Sequence, residues 1–176
     1  MRKQRIRRGA PAVLCTALVA AGGVIGLSSP AGASTKTLHY YSVQQTASVT
    51  TPTGQELGPN DAPAVGDILD STSLDYVGTH AHHASKSTAS DHIDCVFLNS
   101  PQSDSQSGQA KCSGQFAIGG SLILATNIVV TLANNGIGPV TINGGTGPYK
   151  GAKGTVVSKG VGNSNNSDNT IVLTRQ

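Results

Sequence analysis

Asp67, Asp70 and Asp75, together with His80, His82, His83 and His92, have the residue types best suited to proton transfer or metal binding. Asp67, Asp70 and Asp75 lie in or beside an extended segment. A carboxyl group held in an apolar interior has a raised pKa and is suited to acid–base work. Strict alternation puts Asp67 and Asp75 on one face and Asp70 on the other, so at most some of them point inward. The competing reading makes each of them a solvated turn or rim residue. His80, His82, His83 and His92 have the residue type that zinc or copper takes, and His80 and His82 share a face on a strand. No acidic or cysteine ligand stands at a characteristic spacing from them, and Ala81, Ala84 and Ser85 give the segment the look of an exposed loop. The cluster therefore reads as solvated, and no metal or other cofactor is expected.

The elements that must position these side chains are strands. After Ser34 no window shows apolar residues at helical spacing, while β-branched residues, Gly, Ser, Thr and Asn abound. From Gln109 to Ile118, residues Ala110, Cys112, Gly114, Phe116 and Ile118 alternate with Lys111, Ser113 and Gln115, the pattern of a half-buried strand. Ile93, Cys95 and Phe97 alternate in the same way before the turn-rich stretch from Ser100 to Gly108. A symmetric hairpin around that stretch places Cys95 opposite Cys112, Phe97 opposite Ala110 and Ile93 opposite Gly114. Directly opposed cysteines of a non-hydrogen-bonded pair lie close enough to bond, so a disulfide is expected, with two buried free thiols as the alternative. Further strands are expected over 37–49, 67–74, 121–132, 139–143, 155–159 and 170–174. About eight short strands with loops between them suggest a barrel or a sandwich.

Charge locates a leader at the start of the chain. The formal charge is +3, but five of the 12 basic residues (Arg2, Lys3, Arg5, Arg7 and Arg8) crowd the first eight positions. An apolar run from Pro11 to Leu27 follows and leads to Ala31-Gly32-Ala33, the order of a secretory signal peptide with a small-residue cleavage site. Removal of residues 1–33 leaves seven basic against nine acidic groups. The exported chain then lacks the clustered Lys and Arg of a phosphate-binding surface, which argues against nucleic acid, and it has lost its only candidate membrane span. Cys15 leaves with the leader, so Cys95 and Cys112 remain in a compartment that permits disulfides. Residues 34–176 are expected to form one domain, secreted. Whether it assembles into a homo-oligomer is open.

One segment is more specific. Asn143-Gly144-Gly145-Thr146-Gly147-Pro148-Tyr149-Lys150-Gly151-Ala152-Lys153-Gly154 is rich in glycine, yet it lacks the Gly-Lys-Ser/Thr ending and following helix of a phosphate-binding loop. The glycines are read as permitting a tight crossing between adjacent strands, with Tyr149 as a plug. Gly144-Gly145-Thr146-Gly147, an aromatic residue at Tyr149, then Ala152 and Gly154, resembles the signature of allene oxide cyclases, dirigent proteins and secreted bacterial barrels similar to them. Supporting features are Gly66-Asp67 opening a strand, Gly78 after Leu74-Asp75-Tyr76, the two cysteines in adjacent strands, and Thr170 with Leu173 near the end. The resemblance runs from Thr37 onward and implies an eight-stranded antiparallel barrel of the calycin type, after the N-terminal signal peptide.

It also implies a function. Allene oxide cyclases close a ring on a fatty-acid epoxide, and dirigent proteins steer the coupling of phenoxy radicals, both within the barrel and without a cofactor. Such a cavity works by holding a reactive molecule in one conformation, with one or two polar groups to stabilise developing charge. Pro148 and Lys153 stand where radical-coupling dirigent proteins often place an acid and an Arg, so no catalytic residue is carried over from them. Asp67, in the resembling Gly-Asp segment, and Tyr76 are the candidate orienting or catalytic residues. The expected function is a cofactor-independent isomerase or coupling guide for a small apolar molecule. The alternatives are a non-catalytic barrel that binds such a molecule and a secreted surface protein that presents its loops.

Overall fold

The computed structural model describes residues 35–58, 60–99, 108–133 and 136–174, all within one compact unit, Ala33–Gln176. The leader and most of the 100–108 loop lie outside the described residues. Ten strands form: β1 (Thr35–Thr50), β2 (Ile68–Thr79), β3 (His82–His83), β4 (Ala89–Phe97), β5 (Gly108–Ile118), β6 (Ser121–Ala133), β7 (Gly136–Ile142), β8 (Gly144–Gly145), β9 (Lys153–Gly160) and β10 (Ser167–Thr174). Eight of them are long, and each pairs antiparallel with its neighbour in the chain, β3 and β8 being two-residue adjuncts of β2 and β6. Pairing of β1 with both β10 and β2 closes the circuit, so the all-β architecture expected from the sequence is an up-and-down barrel. Closure leaves no long free edge, which a two-sheet sandwich would not achieve.

The hairpin register agrees with the alternation argument at every position named above: Cys95 faces Cys112, Phe97 faces Ala110 and Ile93 faces Gly114. The Cys95–Cys112 disulfide is formed, with Cα atoms 4.0 Å apart and both side chains buried. Around it Ala110 and Val130 are buried and Leu69, Ile93, Ile128 and Ile137 pack at the side. A second apolar cluster fills the other part of the barrel, with Tyr40, Ala89, Ile123, Ile142, Val156, Ile171 and Leu173 buried. Tyr149 packs against that cluster from the short 3-10 turn Gly147–Tyr149.

The glycine motif has the steric role its composition suggests. A Cβ on Gly145 would run into the carbonyl oxygen of Tyr149 and, at 2.8 Å, that of Leu122. Gly154 combines φ +150° with a position where a Cβ would collide with the carbonyl oxygen of Val172 on β10. Backbone oxygen cannot swing aside as a side chain can, so Gly154→Ala is expected to cost at least roughly 2 kcal/mol of stability. Urea unfolding measures this, and an unchanged midpoint would show that β9 and β10 part without penalty.

Candidate functional site

The interior alternation of β1, β2, β4 and β10 brings four polar side chains together inside the barrel: Ser42, Asp75, Asp91 and Asn169. All are buried, Asp75 completely and Asp91 to 5% exposure. Ser42 stands opposite Asp75, and Asp75 and Asp91 are diagonal neighbours because Ser73 faces Asp91 and Asp75 faces Ala89. Asn169 Nδ2 donates to Ser42 Oγ at 2.6 Å, and the Ser42 hydroxyl donates to Asp75 Oδ1. Asp75 Oδ2 has no donor among its neighbours.

Two carboxyl groups in contact away from water cannot both be ionised without severe repulsion. Burial, and then the charge of Asp91, pushes the Asp75 pKa up to about 8. Burial also raises the Asp91 pKa, while hydrogen bonds from Asp75, Ser73 and Ser42 act against it by favouring the ionised form. At neutral pH Asp75 therefore keeps a proton. With Oδ1 already accepting from Ser42, that proton belongs on Oδ2, where it is donated to Asp91 and leaves no buried atom unpaired. Asp75 is thus the protonated member of the pair, and the negative charge that the pair can carry is centred on Asp91.

Asp91 lines a cavity of about 340 Å³. The wall is mostly apolar, including Leu69, Ile93, Phe116, Val130, Val140 and Val156, and Asn169 adds an amide beside the carboxyl pair. Its outer part is polar, formed by Gln44, Ser158 and residues 164–167 of the β9–β10 connection. Asn166 fixes that connection: its Oδ1 accepts from the Gln44 N–H at 3.2 Å and its Nδ2 donates to Tyr41 Oη at 2.9 Å. The volume falls at the small end of the roughly 300–1,000 Å³ typical of small-molecule sites.

The other candidates lie elsewhere. Asp67 is 4% exposed, but it belongs to the turn before β2 and does not line the cavity. Its Oδ2 accepts from the Ala64 N–H at 2.7 Å and its carbonyl accepts from the Phe97 N–H at 2.9 Å, so the Gly66-Asp67 segment anchors the end of β4. Tyr76 is half-buried in a ring cluster with Tyr41, 6.5 Å away, and His83, 5.5 Å away. Asp70 points away from the cavity, as alternation requires.

The histidines divide among three roles. His80 Nδ1 lies 2.6 Å from Asp168 Oδ2, and the His80 N–H donates to Asp168 Oδ1 at 2.7 Å, tying the turn after β2 to β10. His83 joins the tyrosines. His92 Nε2 lies 2.8 Å from Asp70 Oδ2 and 3.5 Å from Asp94 Oδ1. This trio has acidic partners that linear spacing did not reveal, supplied across β2 and β4 where Asp70 faces Asp94. Its donor atoms lie within 4.8 Å of one another, so it is the group among the described residues able to share a cation. The His92 pKa is raised by the Asp70 hydrogen bond and that of Asp70 is lowered by His92, so an imidazolium satisfies both carboxylates.

Asp91 was not among the residues singled out from sequence. Extending the Ile93, Cys95, Phe97 alternation one step toward the N-terminus places Asp91 on the same inner face, and that was the available signal.

Fold and site together define a small closed antiparallel barrel with an interior small-molecule cavity and a buried carboxyl pair. Among solved structures the chain is similar to a pyocyanin demethylase, at 19% identity and a TM-score of 0.59, over 79% of this chain and 100% of that one. At that identity the likeness concerns the fold. No family model matches the chain, and no curated protein matches it.

Proposed function

We propose that the protein is a secreted barrel that takes a small, mainly apolar molecule into its cavity and isomerises it, by cyclisation or a related rearrangement, without a cofactor. The observation that carries this reading is the buried carboxyl pair of Asp75 and Asp91, with Asp91 on the wall of a cavity of about 340 Å³. In an isomerisation, Asp91 takes a proton from one atom of the bound molecule and the pair returns a proton to another. Atoms and charge then balance with no further reactant. Burial suits this work, because a desolvated carboxylate is a stronger base than one in water.

The resemblance of the glycine motif to allene oxide cyclases and dirigent proteins supports a cavity that guides a reactive substrate. The structural neighbour, named as acting on pyocyanin, supports the processing of a small molecule by a barrel of this shape. Fold alone does not assign a reaction, so the weight rests on the carboxyl pair. Export is supported by the disulfide, which persists in oxidising compartments. The mature chain is expected to begin at Ser34, which the intact mass of the exported protein checks.

The test uses culture extract of the producing organism in deuterated water. Wild-type protein is expected to introduce deuterium into at least one small molecule, detected by mass spectrometry, and Asp91→Asn is expected to reduce that exchange by about a hundredfold or more, within the range of general-base contributions. A compound retained by the protein but left unlabelled would assign the barrel to binding alone. A cavity that retains and alters nothing would overturn the proposal.

A further inference from the structure

The cavity has a feature that bears on which molecules it accepts: its charge is of one sign and has no internal partner. Among the described residues that line it there is no Lys, Arg or His, and Asp91 is the only ionisable group. Ser42 and Asn169 support the pair through neutral hydrogen bonds, which orient the carboxyls without cancelling the charge. Lys36 on β1 lies 5.7 Å from the Tyr149 ring and is not part of the cavity lining. His92 is on the same strand as Asp91, but alternation turns it to the outer surface, where Asp70 and Asp94 already engage it.

A lone negative charge beside an apolar wall is costly unless something positive or strongly hydrogen-bond-donating meets it. Water can fill that role wherever it reaches the carboxyl group. An apolar ligand that displaces the water without replacing its hydrogen bonds leaves Asp91 unsatisfied, and a carboxylate ligand adds repulsion in a medium of low dielectric. A cationic ligand supplies the missing partner, and its apolar frame covers Leu69, Ile93, Phe116 and Val130. The polar outer part, with Gln44, Asn165 and Asn166, is neutral and sets no positive charge against a cationic ligand.

We infer that the cavity selects organic cations, protonated amines on a small apolar ring frame, and discriminates against carboxylates such as fatty acids. This rests on the reading of the cavity as a ligand site, and it narrows that reading. It separates the protein from the fatty-acid-derived substrate that the resemblance to allene oxide cyclases would suggest.

Three molecules of one shape test the selection: naphthylmethylammonium, naphthylmethanol and naphthoate, titrated calorimetrically into the disulfide-intact protein at neutral pH. The cation is expected to bind at least tenfold more tightly than the alcohol, and the carboxylate more weakly than either. Asp91→Asn is expected to abolish the preference, so that cation and alcohol bind within about threefold of each other, and cooperative thermal unfolding of the variant shows that it is folded. If the alcohol or the carboxylate binds as tightly as the cation, the charge selection fails and the ligand-site reading stands. If none of the three binds, and Phe116→Ala is equally inert, the ligand-site reading fails as well.

Discussion

Asp75→Asn is expected to change the pH dependence of stability more than any other single substitution. In the unfolded chain Asp75 loses its proton near the ordinary aspartate value of about 4, whereas in the barrel it holds the proton up to about 8. Between these values the folded state binds more protons than the unfolded state, so stability falls as pH rises through that window and levels off above it. The maximum slope is about 1.4 kcal/mol per pH unit, which across the window amounts to several kcal/mol. The groups that face Asp75 are Tyr40 and Ser42 on β1 and Asp91 on β4, with Asn169 behind Ser42 on β10. Among them only Asp91 is a second carboxyl group, and its raised pKa acts in the same direction. An asparagine keeps both hydrogen bonds: its amide nitrogen donates to Asp91 and its oxygen accepts from Ser42. The variant should therefore match the wild type near pH 4 and exceed it at pH 8 by several kcal/mol, leaving only the slope due to Asp91. Urea midpoints across this range measure the difference, and parallel profiles for the two proteins would show that Asp75 is not the group that holds the proton.

Removal of the disulfide is the second large effect. Cys95 and Cys112 are 17 residues apart and close the β4–β5 hairpin, so the bond restricts a loop in the unfolded chain. For a loop of that size the expected loss on Cys95→Ala with Cys112→Ala is roughly 3 kcal/mol. That corresponds to a fall in melting temperature on the order of 10 °C. Both cysteines belong to the buried cluster that holds Ala110 and Val130. The same fall should follow when the wild type is melted in reductant. A wild-type protein indifferent to reductant would show either that the bridge is absent in solution or that the unfolded hairpin is already held together without it.

Both predictions depend on inner-face positions, and these show how much was legible before the fold was known. Alternation has a period of two and depends only on local backbone geometry, so it places Asp70 and Asp75 on opposite faces of β2 and brings Cys95 opposite Cys112 across a single loop. It cannot say which inward carboxyl meets another. Asp75 and Asp91 become diagonal neighbours only because β2 pairs with β4 in one register, past the His82–His83 turn, and a shift of a single residue would turn one of them outward. Asp67 shows the opposite outcome. It is buried and sits in the Gly-Asp segment that resembles the family pattern, yet its hydrogen bonds to Ala64 and Phe97 give it a part in fixing a turn.

Strand content, the hairpin that carries the disulfide and the need for glycine in the tight crossing around Gly154 are readable from the residues alone, since each follows from side-chain alternation or short-range backbone contact. The simultaneous pairing of β1 with β2 and β10 is not readable in that way, because closure is a property of the whole circuit. That closure removes water from Ser42, Asp75 and Asn169 and converts an ordinary aspartate into one that keeps its proton at neutral pH. Desolvation arises from many distant segments together, and no spacing along the chain encodes it.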